Sequence, residues 1–354
     1  MYIEGKDAIE TNVCTYVEPP NPLMGIFADP IDYQTPIITR FGSFSGSYKW
    51  ADGVLHPNGK IYFAPGYTGN VLILDPTTRT TQLVRVATDT SVTRWLGGVL
   101  GADNNIYFVP YATNSLMEFR PSTNTYVHYN TIDEKGMWLG GVFLNGKLYA
   151  FPHDRDTILE FDIVTKTFVE YSTTAGSGQY YGGVLHPNGK IYSIPMNQYT
   201  ILEFDPVTKI RRYTGNLGTG SKWAGGVLHP NGKIYGIPYN HNQILEFDPN
   251  TNDILMYGDF VGTNKWACGV LAPNGKIYGI PRNSRYILEF DPITKDSNLI
   301  DLNDTTSDKY LCGTLAPNGK IYAAPRQSTT ILEIDTLNIP KDLNLCYSNY
   351  FNKF

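Results

Sequence analysis

Two short stretches decide the fold: Trp223-Ala-Gly-Gly-Val-Leu-His-Pro-Asn-Gly-Lys-Ile-Tyr-Gly-Ile-Pro238, and after it Ile244-Leu-Glu-Phe-Asp-Pro-Asn-Thr251. Both read as apolar strands separated by turns. Pro230-Asn231-Gly232 is a tight hairpin turn, because Gly tolerates the positive φ that such turns need. Asp248-Pro249-Asn250-Thr251 is a second turn, in which the Asp side chain accepts turn N–H groups and Pro presets φ.

The same unit, W-x-G-G-V-L-x-P-N-G-K-I-Y-x-x-P then I-L-E-F-D-P-x-T, recurs along the chain. The glycine before Val (Thr in the last copy) falls at Gly53, Gly98, Gly141, Gly183, Gly226, Gly269 and Gly313, in steps of 45, 43, 42, 43, 43 and 44 residues. The proline closing the second strand marks the same seven copies, from Pro65 and Pro110 to Pro325. Four short strands per unit predict an all-β, seven-bladed β-propeller with four antiparallel strands per blade. Helical repeats would show a 3.6-residue period and far fewer Gly and Pro.

All five tryptophans (Trp50, Trp95, Trp138, Trp223, Trp266) hold one slot of the unit, and Tyr180 and Tyr310 fill it in the other copies. A ring of large aromatics reads as packing between neighbouring blades. The seventh copy loses the pattern after Ile331–Ile334. Ile38-Thr39-Arg40-Phe41-Gly42 aligns with Ile254-Leu255-Met256-Tyr257-Gly258, a fourth strand with no blade before it. The last blade is therefore expected to be closed by this N-terminal strand. The propeller then spans 36–335. Residues 1–35 read as an extended flank carrying Pro19-Pro20-Asn21-Pro22, and 336–354 as an aromatic tail packing on the propeller or a partner.

The bulk numbers narrow the function. Net charge is −5 and charged residues make up 17 %. This gives no whole-molecule attraction to nucleic acid or anionic lipid. No apolar run reaches the ~18 residues of a membrane helix, so no membrane insertion is expected. The start, MYIEGKDAIETN, has neither a basic n-region nor an apolar h-region. This points to a cytoplasmic protein or part of a larger particle. Four Cys in 354 residues are not a disulfide framework. Cys268 and Cys312 share a slot in adjacent blades and Cys14 and Cys346 lie in the two flanks, so either pair is placed to bridge in an oxidising compartment. Without a signal peptide, free thiols are the expectation.

The P-N-G and D-P-x-T turns barely change between copies and build one face, read as scaffold. Variation concentrates after I-Y-x-x-P, on the opposite face, and a ligand site belongs there. The candidates are Tyr111, His153, Tyr239, His241, Arg282 and Arg326 from those patches, with Lys49, Arg94, Lys222, Lys265 and Lys309 just before the aromatic slot. Together they sketch a positive rim suited to a phosphate, sulfate or carboxylate group. The His of H-P-N-G (His56, His186, His229) reads as a turn residue. The Glu of I-L-E-F, repeated at Glu118, Glu160, Glu203, Glu246, Glu289 and Glu333, reads as a partner for strand Lys or Arg. No G-x-S-x-G, H-E-x-x-H or P-loop is present, and no catalytic residue, metal ligand or cofactor is assigned.

These units resemble the broad superfamily of seven-bladed propellers that includes YVTN-type, streptogramin-lyase-like and gluconolactonase-like proteins. The resemblance covers residues 36–335. It implies the ring and, as one alternative, a metal-dependent lyase or lactonase with a site at the axial mouth. The lyase-like second strand reads L-W-F-T-E, where this chain has I-Y-x-x-P. The first reading is a non-catalytic binding or assembly module that uses the variable face for a glycan, an anionic group or a protein partner. Self-assembly, as a structural subunit of a surface or virus-like particle, belongs to the same class.

Overall fold

The computed structural model describes residues 35–88, 92–130, 136–173 and 178–336. The flanks 1–34 and 337–354, with Cys14 and Cys346, lie outside them.

The described strands form seven separate four-stranded antiparallel sheets. Blades 1 to 6 are consecutive: Trp50–Arg85, Trp95–Asn130, Trp138–Ser172, Val184–Thr214, Trp223–Tyr257 and Trp266–Asp301. Blade 7 takes three strands from Thr314–Asp335 and its outer strand from Ile37–Phe41. That strand runs antiparallel to Ile331–Asp335, with Ile37 opposite Asp335 and Phe41 opposite Ile331. This is the expected closure.

Each blade is wedged between two others, so its second and third strands are apolar on both faces. Ile234–Pro238 and Ile244–Phe247 are buried along their whole length, while Ile254–Tyr257 at the rim is not. The tryptophans sit between blades, Trp223 among Val184, Tyr192 and Ile201 of blade 4. Each indole N–H also donates to a carbonyl at the start of its own third strand, as in Trp223 Nε1 to Gln243 O at 2.8 Å and Trp95 Nε1 to Ser115 O at 2.9 Å. The slot thus packs one interface and ties the blade together. The recurring glycine is required by closeness: a Cβ on Gly226 would lie 2.9 Å from Ile194 and 3.0 Å from Val184 of the preceding blade.

The repeated Glu joins blades as well as strands. Glu160 is paired with Lys147 of its own blade and receives Lys209 Nζ at 2.6 Å from the turn of blade 4. Glu118 receives Lys166 from blade 3, Glu246 pairs with Lys295 of blade 6, and Glu333 takes a two-pronged bond from Arg79 of blade 1. Lys209, Lys166, Lys295 and Arg79 all have positive φ at the end of the D-P-x-T-type turn. Blade 1 carries Ile73 in the Glu slot, and the next blade carries Asn124 where the cation would stand. The match is not general: Glu203 is kept although blade 5 carries Asn252 at the cation position, and it pairs with Lys190 and Arg212 of its own blade.

One expectation is corrected. Cys268 and Cys312 are not free thiols; they form a disulfide, with Cα atoms 5.3 Å apart. First strands of adjacent blades converge at the axis, so equivalent positions come within bridging reach. The bond spans a sequence separation of 44. A Cys268→Ala, Cys312→Ala double variant is expected to lose about 4 kcal/mol through the loop-closure entropy of the unfolded chain. Urea melts of the variant and of the oxidised parent give this directly.

Candidate functional site

The mouth is built by the residue after each closing proline. Going round the ring these are Gly66, Tyr111, His153, Met196, Tyr239, Arg282 and Arg326. Five of the seven, Tyr111, His153, Tyr239, Arg282 and Arg326, are sequence candidates drawn from separate blades, and Tyr111 packs against the apolar cluster below them. Gly66 leaves room for the inter-blade loop, since a Cβ there would fall 2.1 Å from Tyr48 O. Tyr48 fills the gap, its ring 4.9 Å from the Arg326 guanidinium.

Arg282 and Arg326 meet at Asp308. Arg282 Nε donates to Oδ1 at 2.6 Å and Arg326 Nε to Oδ2 at 2.9 Å. Arg282 Nη1 also donates to the Tyr239 hydroxyl, and its guanidinium lies 5.4 Å from that ring. Across the mouth, His153 Nδ1 is 2.8 Å from Asp154 Oδ2, and the imidazole meets Tyr111 edge-on at 5.6 Å. The result is a polar, aromatic rim with two carboxylates offsetting two guanidiniums.

The four lysines of the expected rim are placed differently. Lys49 and Lys309 are fully buried and Lys222 and Lys265 nearly so. Their ammonium groups donate inward to loop carbonyls: Lys222 to Gln198, Gly218 and Gly220, and Lys265 to His241 and Gly262. Burial pulls both amines down to about 8. These side chains brace the inter-blade loops. Arg94 sits beside His128, where its charge adds to the burial that lowers that imidazole. His241 lies against Trp223, ring centroids 4.5 Å apart, on a recess with Asn240, Gln243 and Asp259. Neither joins the ring at the mouth. His56 and His186 stay in their turns, each accepting a backbone N–H through Nδ1.

Below the rim, the residue after each aromatic forms a second ring: Ala51, Leu96, Leu139, Tyr181, Ala224, Ala267 and Leu311, all buried in one cluster. The next position is Gly in four blades, Cys in two, and Asp52 in blade 1. Asp52 is 4 % exposed, and neither carboxylate oxygen has a hydrogen-bond partner among the described residues. Burial pushes its carboxyl up to about 7 against the pull of Arg326. Sequence reasoning missed Asp52, Tyr181 and Asp308. Asp52 did leave a signal, as a charged residue in a slot otherwise held by Gly and Cys.

The divalent ion implied by the lyase and lactonase alternative does not fit this donor set. Among the described residues, no three His, Cys, Asp or Glu side chains are placed to share a metal. Asp308, the carboxylate nearest the arginines, is already neutralised by two guanidiniums.

No family model and no curated protein matches the sequence. Solved structures do match in shape. A streptogramin B lyase superposes with a TM-score of 0.71 at 15 % identity, covering 84 % of this chain and 97 % of that one. The virginiamycin B lyase from Staphylococcus aureus, in a catalytically inactive form with quinupristin, gives 0.73 at 9 % identity over 85 % of this chain and 99 % of that one. This chain has the same fold. The extracellular domain of a hybrid two-component system from B. thetaiotaomicron gives 0.64 at 13 % identity, covering 86 % of this chain and 42 % of that one. A chain of the mitotic checkpoint complex gives 0.67 at 10 % identity over 93 % of this chain and 100 % of that one. At these identities the likeness extends to architecture alone.

Proposed function

We propose that the protein is a binding module whose ligand docks at the axial mouth of the variable face. The observation that carries this is the convergence of unlike side chains from separate blades, Tyr111, His153, Tyr239, Arg282 and Arg326, above an axis whose other end is built from near-identical turns. A structural subunit would need no such individual set. Rigid aromatic faces beside guanidiniums suit a glycan, an anionic group or a protein side chain. The similar propellers include a lyase seen with quinupristin, the extracellular domain of a two-component system and a chain of the mitotic checkpoint complex, which agrees with a shared shape used as a platform.

The test is an array of neutral, sulfated and carboxylated glycans, followed by calorimetry. Replacing Arg282 and Arg326 by Gln together is expected to weaken the best binder by about tenfold or more. Binding that ignores both substitutions, or no binder at all, refutes the reading. Lys222 and Lys265 are unsuitable probes, because their ammonium groups hold loops together.

A further inference from the structure

Three polar groups beneath the mouth have no hydrogen-bond partner among the described residues: the carboxylate of Asp52 through both oxygens, the hydroxyl of Tyr181 and Nη1 of Arg326. They belong to blades 1, 4 and 7. Asp52 feels the charge of Arg326, and Tyr181 feels Asp52, Arg282, Arg326 and Tyr239. Residues from opposite sides of a ring can sense one another in this way only across its axis. Tyr181 and Asp52 are each 4 % exposed. Buried polar groups in folded proteins are nearly always satisfied, so a converging set of orphans marks a place where something else is meant to bond.

We propose that Asp52, Tyr181 and Arg326 form a subsite at the floor of the mouth that takes the neutral, hydroxyl-bearing end group of a glycan. This rests on the binding reading above and names its ligand class. The orphans comprise an acceptor, a donor and a hydroxyl that can act as either. A sugar hydroxyl donates and accepts at one oxygen, so it donates to the Asp52 carboxylate while accepting from Arg326 Nη1 or the Tyr181 hydroxyl. Above about pH 7, where Asp52 is ionised, a carboxylate or sulfate would bring a second anion against it in a dry site, and an ammonium would face Arg282 and Arg326. Neutral hydroxyls meet neither penalty. Tyr239 and the leucines of the second ring supply apolar surface for the C–H face of a sugar.

The test uses the full chain with neutral probes (the methyl glycosides of glucose, galactose and mannose, and lactose, maltose and cellobiose) beside glucuronate and sulfated glucose. Saturation-transfer NMR finds binders and calorimetry ranks them. At least one neutral probe is expected to bind, and both Asp52→Ala and Tyr181→Phe to weaken it about tenfold or more with melting as sharp as the parent's. Ala fits at 52, since Gly and Cys hold that slot in the other blades. The subsite is overturned if no neutral probe binds, or if binding survives both substitutions unchanged. If only the anionic probes bind, and binding is lost in Arg282→Gln but not in Asp52→Ala, the subsite falls and the mouth stands. If nothing binds, both fall.

Discussion

Removal of residues 1–45 is expected to abolish the cooperative melt. The strand Ile37–Phe41 is the outer strand of blade 7, paired through five residues to Ile331–Asp335. Its side chains bridge two interfaces. Ile38 packs on the cluster shared by blades 6 and 7, and Phe41 on the one shared by blades 7 and 1. Phe44 follows, edge-on to Trp50 at 5.2 Å and hydrogen-bonded through its N–H to Thr329 O. Arg40 reaches Asp304 and the carbonyl of Leu302. Without these contacts, Ile331–Asp335 becomes a bare sheet edge, and the two apolar clusters covered by Ile38, Phe41 and Phe44 open to water. The loss of a five-residue ladder and of the half-buried Ile38, Phe41 and Phe44 is large beside the whole stability of a domain, about 5–15 kcal/mol. Calorimetry on the truncated chain checks this; a sharp transition near the parent temperature would sink the closure. The double variant Ile38→Asp, Phe41→Asp tests the same seam in a full-length chain and should lower the midpoint steeply.

The second large effect has the opposite sign. Asp52→Asn is expected to stabilise the protein at pH 8 by as much as about 4 kcal/mol. In the folded state burial pushes the carboxyl up to about 7, Arg326 opposing, from an ordinary value of 3.8. The folded protein therefore keeps this proton while the unfolded chain has already lost it. Stability falls as pH rises from about 4 to 7 and the cost stays constant above, so Asn removes a penalty that is full at pH 8 and absent near pH 4. The interblade glutamates act in another window. Burial raises Glu118, Glu160, Glu246 and Glu333, but hydrogen bonds from Lys, Arg and Tyr outweigh it and hold them below their usual range. Their support fails only as pH drops below about 4.5, and it cancels in the difference between variant and parent. Denaturant melts at pH 4.5 and pH 8 on both proteins decide the matter: an equal or lower midpoint for Asp52→Asn at pH 8 contradicts it. A carboxylate that lowers stability in this way fits a group kept for what it binds.

The fold could be read from the chain because its signals are local and periodic. Pro230-Asn231-Gly232 makes a hairpin wherever it stands, and the unit containing Trp223 and Pro238 returns every 42 to 45 residues. Seven copies count the blades, and the orphan strand near Ile38 names the closure. The structure agrees at each of these points. The candidate site was legible only as a face. Arg282, Arg326 and Tyr239 do meet at the mouth, but Lys222 and Lys265 carry the same sign of charge and turn inward, because loop carbonyls of neighbouring blades surround them.

What the sequence determined by itself, then, is the blade, its number and the seam. Tertiary structure alone decided the Cys268–Cys312 bridge, the Asp308 link between two arginines, and the meeting of Asp52 with Tyr181 and Arg326. Strand and turn propensities act over a few residues and leave their mark in every copy. These other contacts join different blades, and residues as far apart as Asp52 and Arg326 become neighbours only when the ring shuts.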